Sequence, residues 1–176
     1  MPSLTIYTPR HLDSNEPPPL EQYGWRFLAE GDSWFTIGAL NPAKNSNLLF
    51  ELAFESTACA VNCAYPGDTL QHMAQFTANP DFANLLAGRT ARAWDGLLLS
   101  AGGNDLIDAL QVRGPGVPAE QRLLLRADEW SAAPGVARYV SEPGWQAFEG
   151  YVQTALGRIV ALRDSGPSRG CPLFMH

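Results

Sequence analysis

The chain has 176 residues, 45% of them hydrophobic and 17% charged, a balance that suits one globular domain with its own core and excludes a disordered polymer. A net charge of -6, with only twelve scattered Lys and Arg, argues against a nucleic-acid surface. No apolar run approaches the roughly 18 residues of a membrane span, and the start lacks a basic end followed by an apolar core, so a cytoplasmic protein is expected.

Residues 1–23 carry Pro17, Pro18 and Pro19 beside charged residues and read as an extended surface arm; residues 24–176 read as the folded domain. Four apolar runs have strand length: 25–31 (WRFLAEG), 57–65 (TACAVNCAY), 94–102 (WDGLLLSAG) and 171–176 (CPLFMH). Helical patterns separate them. After the first run, Asn45 or Ser46 can cap a helix that includes Leu48, Leu49, Leu52 and Ala53. After the second, Asp68 can cap TLQHMAQF, and Asn79-Pro80 opens a helix closed by Gly88. After the third, Asp105 can cap LIDALQV, and PAEQRLLLRADEW reads as a further helix. The last helix has the clearest stripe, through Trp145, Phe148, Val152, Leu156, Ile159 and Leu162 or Arg163, and Gly166-Pro167 ends it. Strands alternating with helices predict an α/β fold with a parallel sheet covered on both faces.

Cys59 and Cys63 stand too far apart on one extended strand for a disulfide, and with Cys171 they form no metal-binding pattern. They are expected to be small buried hydrophobes, and no metal or organic cofactor is called for.

Ligands of parallel sheets bind at the carboxyl ends of the strands. Three polar turns fall there: Gly31-Asp32-Ser33, Gly67-Asp68, and Gly102-Gly103-Asn104-Asp105. Taken singly, Ser33 is more often a turn residue than a nucleophile, Gly67 a turn, and Asn104-Asp105 a helix cap. Taken together, a serine hydroxyl above the sheet, backbone amides at Ser33 and Gly67, and the Asn104 side-chain amide could surround one carbonyl.

In these blocks the chain resembles the SGNH or GDSL hydrolases, a family of serine esterases and lipase-like enzymes. Gly31-Asp32-Ser33 resembles the first block, Gly67 in YPGDT the second, and Gly102-Gly103-Asn104-Asp105 the third. The motifs span residues 25 to about 105, and Trp34 stands where the family has leucine. The resemblance implies a three-layer flavodoxin-like fold, Ser33 as nucleophile, an oxyanion hole formed by the Ser33 and Gly67 amides with Asn104, and a small-molecule ester as substrate. It also implies an Asp-x-x-His block after a fifth strand, and no Asp stands three residues before His11, His72 or His176. The expectation is therefore a sheet without its fifth strand, the catalytic Asp-His pair outside this chain, little activity, and a last strand left as an edge for self-association. His176 is expected at that strand's end on the catalytic side of the sheet. The alternative is a non-catalytic module of the same fold that binds a small molecule or carbohydrate; a nucleotide-binding domain is disfavoured by the absence of a Gly-x-Gly-x-x-Gly turn or a Walker-type lysine.

Overall fold

The computed structural model describes residues 2–36, 47–132 and 134–176. Its centre is a five-stranded, all-parallel sheet of β1 (Thr5–Tyr7), β2 (Trp25–Gly31), β3 (Ala58–Asn62), β4 (Gly96–Ser100) and β5 (Leu173–Met175), in the order β1-β3-β2-β4-β5. Register is set by pairs such as Thr5 with Cys59, Phe27 with Ala60 and with Gly96, and Leu97 with Leu173. All strands run one way, so Tyr7, Gly31, Asn62, Ser100 and Met175 end at one edge. The arrangement is α/β and consistent with a flavodoxin-like fold.

The helices are α1 (Pro9–Leu12), α2 (Leu48–Glu51), α3 (Leu70–Met73), α4 (Pro80–Leu86), α5 (Gly103–Gln111) and α6 (Glu142–Ser165). Alternation along the strands divides the core in two. Leu28, Cys59, Val61, Leu97 and Leu99 pack on one face against Leu70 and Met73 of α3, Phe82, Leu85 and Leu86 of α4, and Ala155 and Ile159 of α6. Phe27, Ala29, Ala58, Ala60 and Leu98 line the other, under Leu4, Phe35 and Leu49. Each fully buried leucine contributes about 2 kcal/mol, and the first of the two clusters is much the larger. All three cysteines are free thiols.

Several expectations are corrected. The sheet has five strands where four were expected, because residues 5–7 of the supposed arm form β1 on the outer side of β3. Thr-Ile-Tyr is β-branched and aromatic, which suits a pleated edge, and Pro17–Pro19 lie beyond it. The Tyr7 hydroxyl meets that of Tyr23 at 2.7 Å and ties the two ends of the segment together. The helix expected over residues 45–55 is a single turn, α2, capped by Asn47, whose side chain accepts from Leu49 N. The alternative caps, Asn45 and Ser46, lie outside the described residues. The turn stops because residues 52–54 are drawn into pairing with the N-terminal segment: Leu4 N donates to Leu52 O, and Phe54 N to Pro2 O.

Residues 118–130 are not a helix. They form two 3-10 turns, at Ala119–Gln121 and Ala127–Glu129, folded around the buried Arg122 guanidinium. Arg122 donates to Val117 O, to Leu124 O and, twice at 2.9 Å, to the Glu129 carboxylate. A buried cation takes every acceptor it can reach, and the backbone between the two turns is extended and paired with residues 139–141, Leu125 N donating to Tyr139 O and Ser141 N to Leu123 O. The long helix α6 is as expected, with Ser141 accepting from Gly144 N at its start and Gly166 following its last residue. Among the described residues, no helix is long and apolar enough to cross a membrane.

Candidate functional site

The turn after β2 is built by Asp32. Gly31 is needed there because a Cβ on it would stand 2.8 Å from both Cβ and O of Ser100 on the neighbouring strand. That close approach lets Asp32 N donate to Ser100 O at 3.1 Å and the Ser100 hydroxyl donate to Asp32 Oδ1 at 2.7 Å. The same Oδ1 accepts from Trp34 N at 3.1 Å, and Asp32 O accepts from Phe35 N. Phe35 turns inward, its carbonyl held by the Asn47 and Asn62 side-chain amides at 3.0 and 2.6 Å. Asp32 and Phe35 are thus buried, which leaves Ser33 and Trp34 exposed on the turn between them. Among the described residues the Ser33 hydroxyl and amide have no hydrogen-bond partner.

The second turn follows β3. Asp68 N donates to Tyr65 O across Pro66 and Gly67, and Gly67 has φ +80°. Proline first and a positive-φ glycine second is the signature of a type II turn, so Gly67 has a backbone reason to be glycine. Its amide has no acceptor among the described residues, and nothing lies within 4 Å of where its Cβ would be. Tyr65 N donates to Gly31 O, fastening this turn to the first.

The third turn opens α5, with Gly102 at φ +95° as the cap residue. Asn104 Nδ2 donates to Asp68 O at 2.9 Å, which engages one of its two amide hydrogens and leaves the other available. Asp105 does not cap its own helix, contrary to expectation. Its buried carboxylate accepts Leu70 N on both oxygens, at 3.1 and 3.0 Å, and also accepts the Tyr151 hydroxyl of α6. Tyr151 in turn accepts from Gln71 N. Burial and the Asp105 carboxylate hold the Tyr151 phenol well above its ordinary range. Asp68 likewise does not cap α3. Thr69 does so through His72 N, while Asp68 Oδ1 accepts Thr69 N and meets His72 Nδ1 at 2.6 Å. Burial raises the Asp68 carboxyl, and its Oδ2 is buried without a hydrogen-bond partner.

These bonds lace the three turns together, and the third lies near the first: a Cβ on Gly103 would stand 3.9 Å from Asp32 Oδ2, in ordinary contact. Ser33 itself bonds to neither Gly67 nor Asn104. The chemical character at the carboxyl ends of these parallel strands is that of an exposed hydroxyl at Ser33 and of N–H groups with spare protons at Ser33, Gly67 and Asn104. Beside Phe35 opens an apolar cavity of about 280 Å³, bounded by Leu48, Leu52, Leu98, Phe174 and His176.

The three histidines are dispersed. His11 Nδ1 accepts from Thr8 N at 3.0 Å, His72 is paired with Asp68, and the His176 ring lies 5.6 Å from that of Trp34, centre to centre. Sequence reasoning missed the Asp68–His72 pair, although four-residue spacing on a short helix could have disclosed it. It also missed Glu30, Ser100 and Tyr151, whose roles depend on which strands and helices become neighbours. Among the described residues, no three His, Cys, Asp or Glu are arranged to hold a metal ion.

No family model, no curated protein and no solved structure matches this chain.

Proposed function

We propose that the chain carries the serine and oxyanion half of an ester hydrolase site of the SGNH/GDSL type. Ser33 Oγ adds to the ester carbonyl, the alcohol leaves with a proton, and water later releases the acid from the acyl-serine. The Ser33 and Gly67 amides and the free hydrogen of Asn104 Nδ2 hold the oxyanion. The observation that carries this reading is the set of unpaired donors at three neighbouring strand ends, with Asn104 fixed by Asp68 O at 2.9 Å. The apolar cavity beside Phe35 supports an uncharged acyl group as the part of the substrate bound there.

The Ser33 proton needs an acceptor, and neither His11, His72 nor His176 is hydrogen-bonded to it. That observation favours a second reading, a non-catalytic module that binds a small carbonyl compound or carbohydrate at the same turns. Fluorophosphonate labelling followed by peptide mass spectrometry separates the two, run with and without imidazole as an added base. Label on Ser33, abolished in Ser33→Ala and slowed about 10²-fold in Asn104→Ala, is the expected result. No label under either condition would overturn the hydrolase reading and leave the binding module.

A further inference from the structure

A second cavity, of about 350 Å³, lies away from these turns, between α1, α4 and the segment that follows α4. Its walls carry opposite charges: Asp13 and Asp81 on one hand, Arg89 and Arg92 on the other, with Asn84 and Thr90 between them. Oppositely charged side chains that share a cavity usually pair directly. Here, among the described residues, Asp13, Asp81 and Arg89 enter no ion pair, and Arg92 leans outward by Nη1 to Glu21 at 3.7 Å. Arg92 Nε is buried with no hydrogen-bond partner. The rest of the Arg92 side chain is partly exposed, so its terminal N–H groups and those of Arg89 are the donors a ligand in the cavity could reach.

The lining is neutral in sum, so neither a simple anion nor a simple cation gains from its net field. A molecule bearing both charges gains twice, its carboxylate against the planar donor fork of an arginine and its ammonium against an aspartate. The volume suits something between an amino acid and a short peptide. We propose that this cavity is a binding site for a small zwitterion of the amino-acid or short-peptide class, with Arg92 and Arg89 receiving its carboxylate and Asp81 and Asp13 its ammonium group. It is separate from the turn that bears Ser33, and its occupancy does not depend on what that turn does.

The test is calorimetric titration of the whole chain with glycine, glycylglycine and triglycine, which share the two charged ends and differ only in their separation, with acetate and ethylammonium as single-charge controls. At least one zwitterion is expected to bind saturably, and each control about tenfold or more weakly. Arg92→Gln and Asp81→Asn should each weaken that binding about tenfold. Arg89→Gln, at an exposed side chain with no internal partner, keeps the test valid should Arg92→Gln fail to fold, and should also weaken it. Absence of saturable binding by all three zwitterions, equal binding by a single-charge control, or indifference to Arg89→Gln and Asp81→Asn would each overturn the proposal.

Discussion

Two glutamates anchor irregular backbone in this molecule, and they do so by opposite means. Glu30, at the end of β2, is wholly buried and held by neutral donors: Gly31 N at 2.8 Å and Asn79 Nδ2 at 2.6 Å. Burial, with the nearby Asp68 and Asp81 carboxylates, pushes it up to about 7. Glu129, in the 3-10 turns around residue 122, is gripped by Arg122 and Arg126, and those contacts bring it down to about 2. The loop far from the strand ends is thus fastened by opposite charge. At the strand ends the carboxyl groups of Glu30, Asp32 and Asp105 are instead held by neutral N–H and O–H donors, and among the described residues none of the three pairs with an arginine or lysine.

The sharpest way to break the contrast is pH. A carboxyl raised in the folded state stabilises it fully below the unfolded value of about 4.5, and that contribution is lost as pH rises through about 7. The loss amounts to about 3 kcal/mol. Glu30→Gln, which keeps an acceptor for Gly31 N while Asn79 turns its amide over, should therefore raise stability at pH 8 by about that amount and flatten the profile between pH 4.5 and 7. Urea midpoints across that range check it, and an unchanged slope would show that Glu30 is not the group responsible.

Asp105→Ala tests the dipolar anchor directly. It leaves the buried Leu70 N and the Tyr151 hydroxyl without their acceptor, at a cost of about 2 kcal/mol, read in the same urea titration at pH 7. A smaller loss than that of Tyr151→Phe would place the anchor on the tyrosine instead. The least effect is expected of Glu129→Gln, since Glu129 itself is partly exposed and the buried Arg122 keeps the Val117 and Leu124 carbonyls as acceptors. A carboxyl lowered in the folded state stabilises it above about 4.5 and loses that contribution as pH falls through about 2. The variant should consequently be slightly less stable at pH 7 and should lack the wild-type decline between pH 4.5 and 2. If the two glutamate variants shift the profile on the same side of pH 4.5, the contrast between the two regions is gone.

Much of the sheet was legible in the sequence. β2 coincides with the run expected at 25–31, and β3, β4 and β5 each fall inside theirs. β5 is a short apolar run at the sheet's edge, while the three central strands are buried and so read as continuous apolar runs closed by turn residues. The glycine turns at 31, 67 and 102 could be read for the same reason. β1 was hidden because three residues carry little periodicity and prolines follow close behind. The false helix at 118–130 has apolar residues at suitable spacing, but residues 123–125 pair with residues 139–141 and Arg122 turns inward, neither of which the spacing reveals. At the site, Ser33, Gly67 and Asn104 could be placed on strand ends from sequence alone. The partners of Asp105 could not, since Leu70 and Tyr151 reach it only once α3 and α6 have packed together.

The place of β1 also orders events in time. Among the described residues its sole sheet partner is β3, about fifty residues further along, and β3 pairs in turn with β2. A ribosome therefore releases β1 before β3, yet the strand has no sheet partner to dock on until β3 has emerged, and closing so long a loop is slow. Of these five strands, the first made is among the last to settle, and it waits with its edge uncovered.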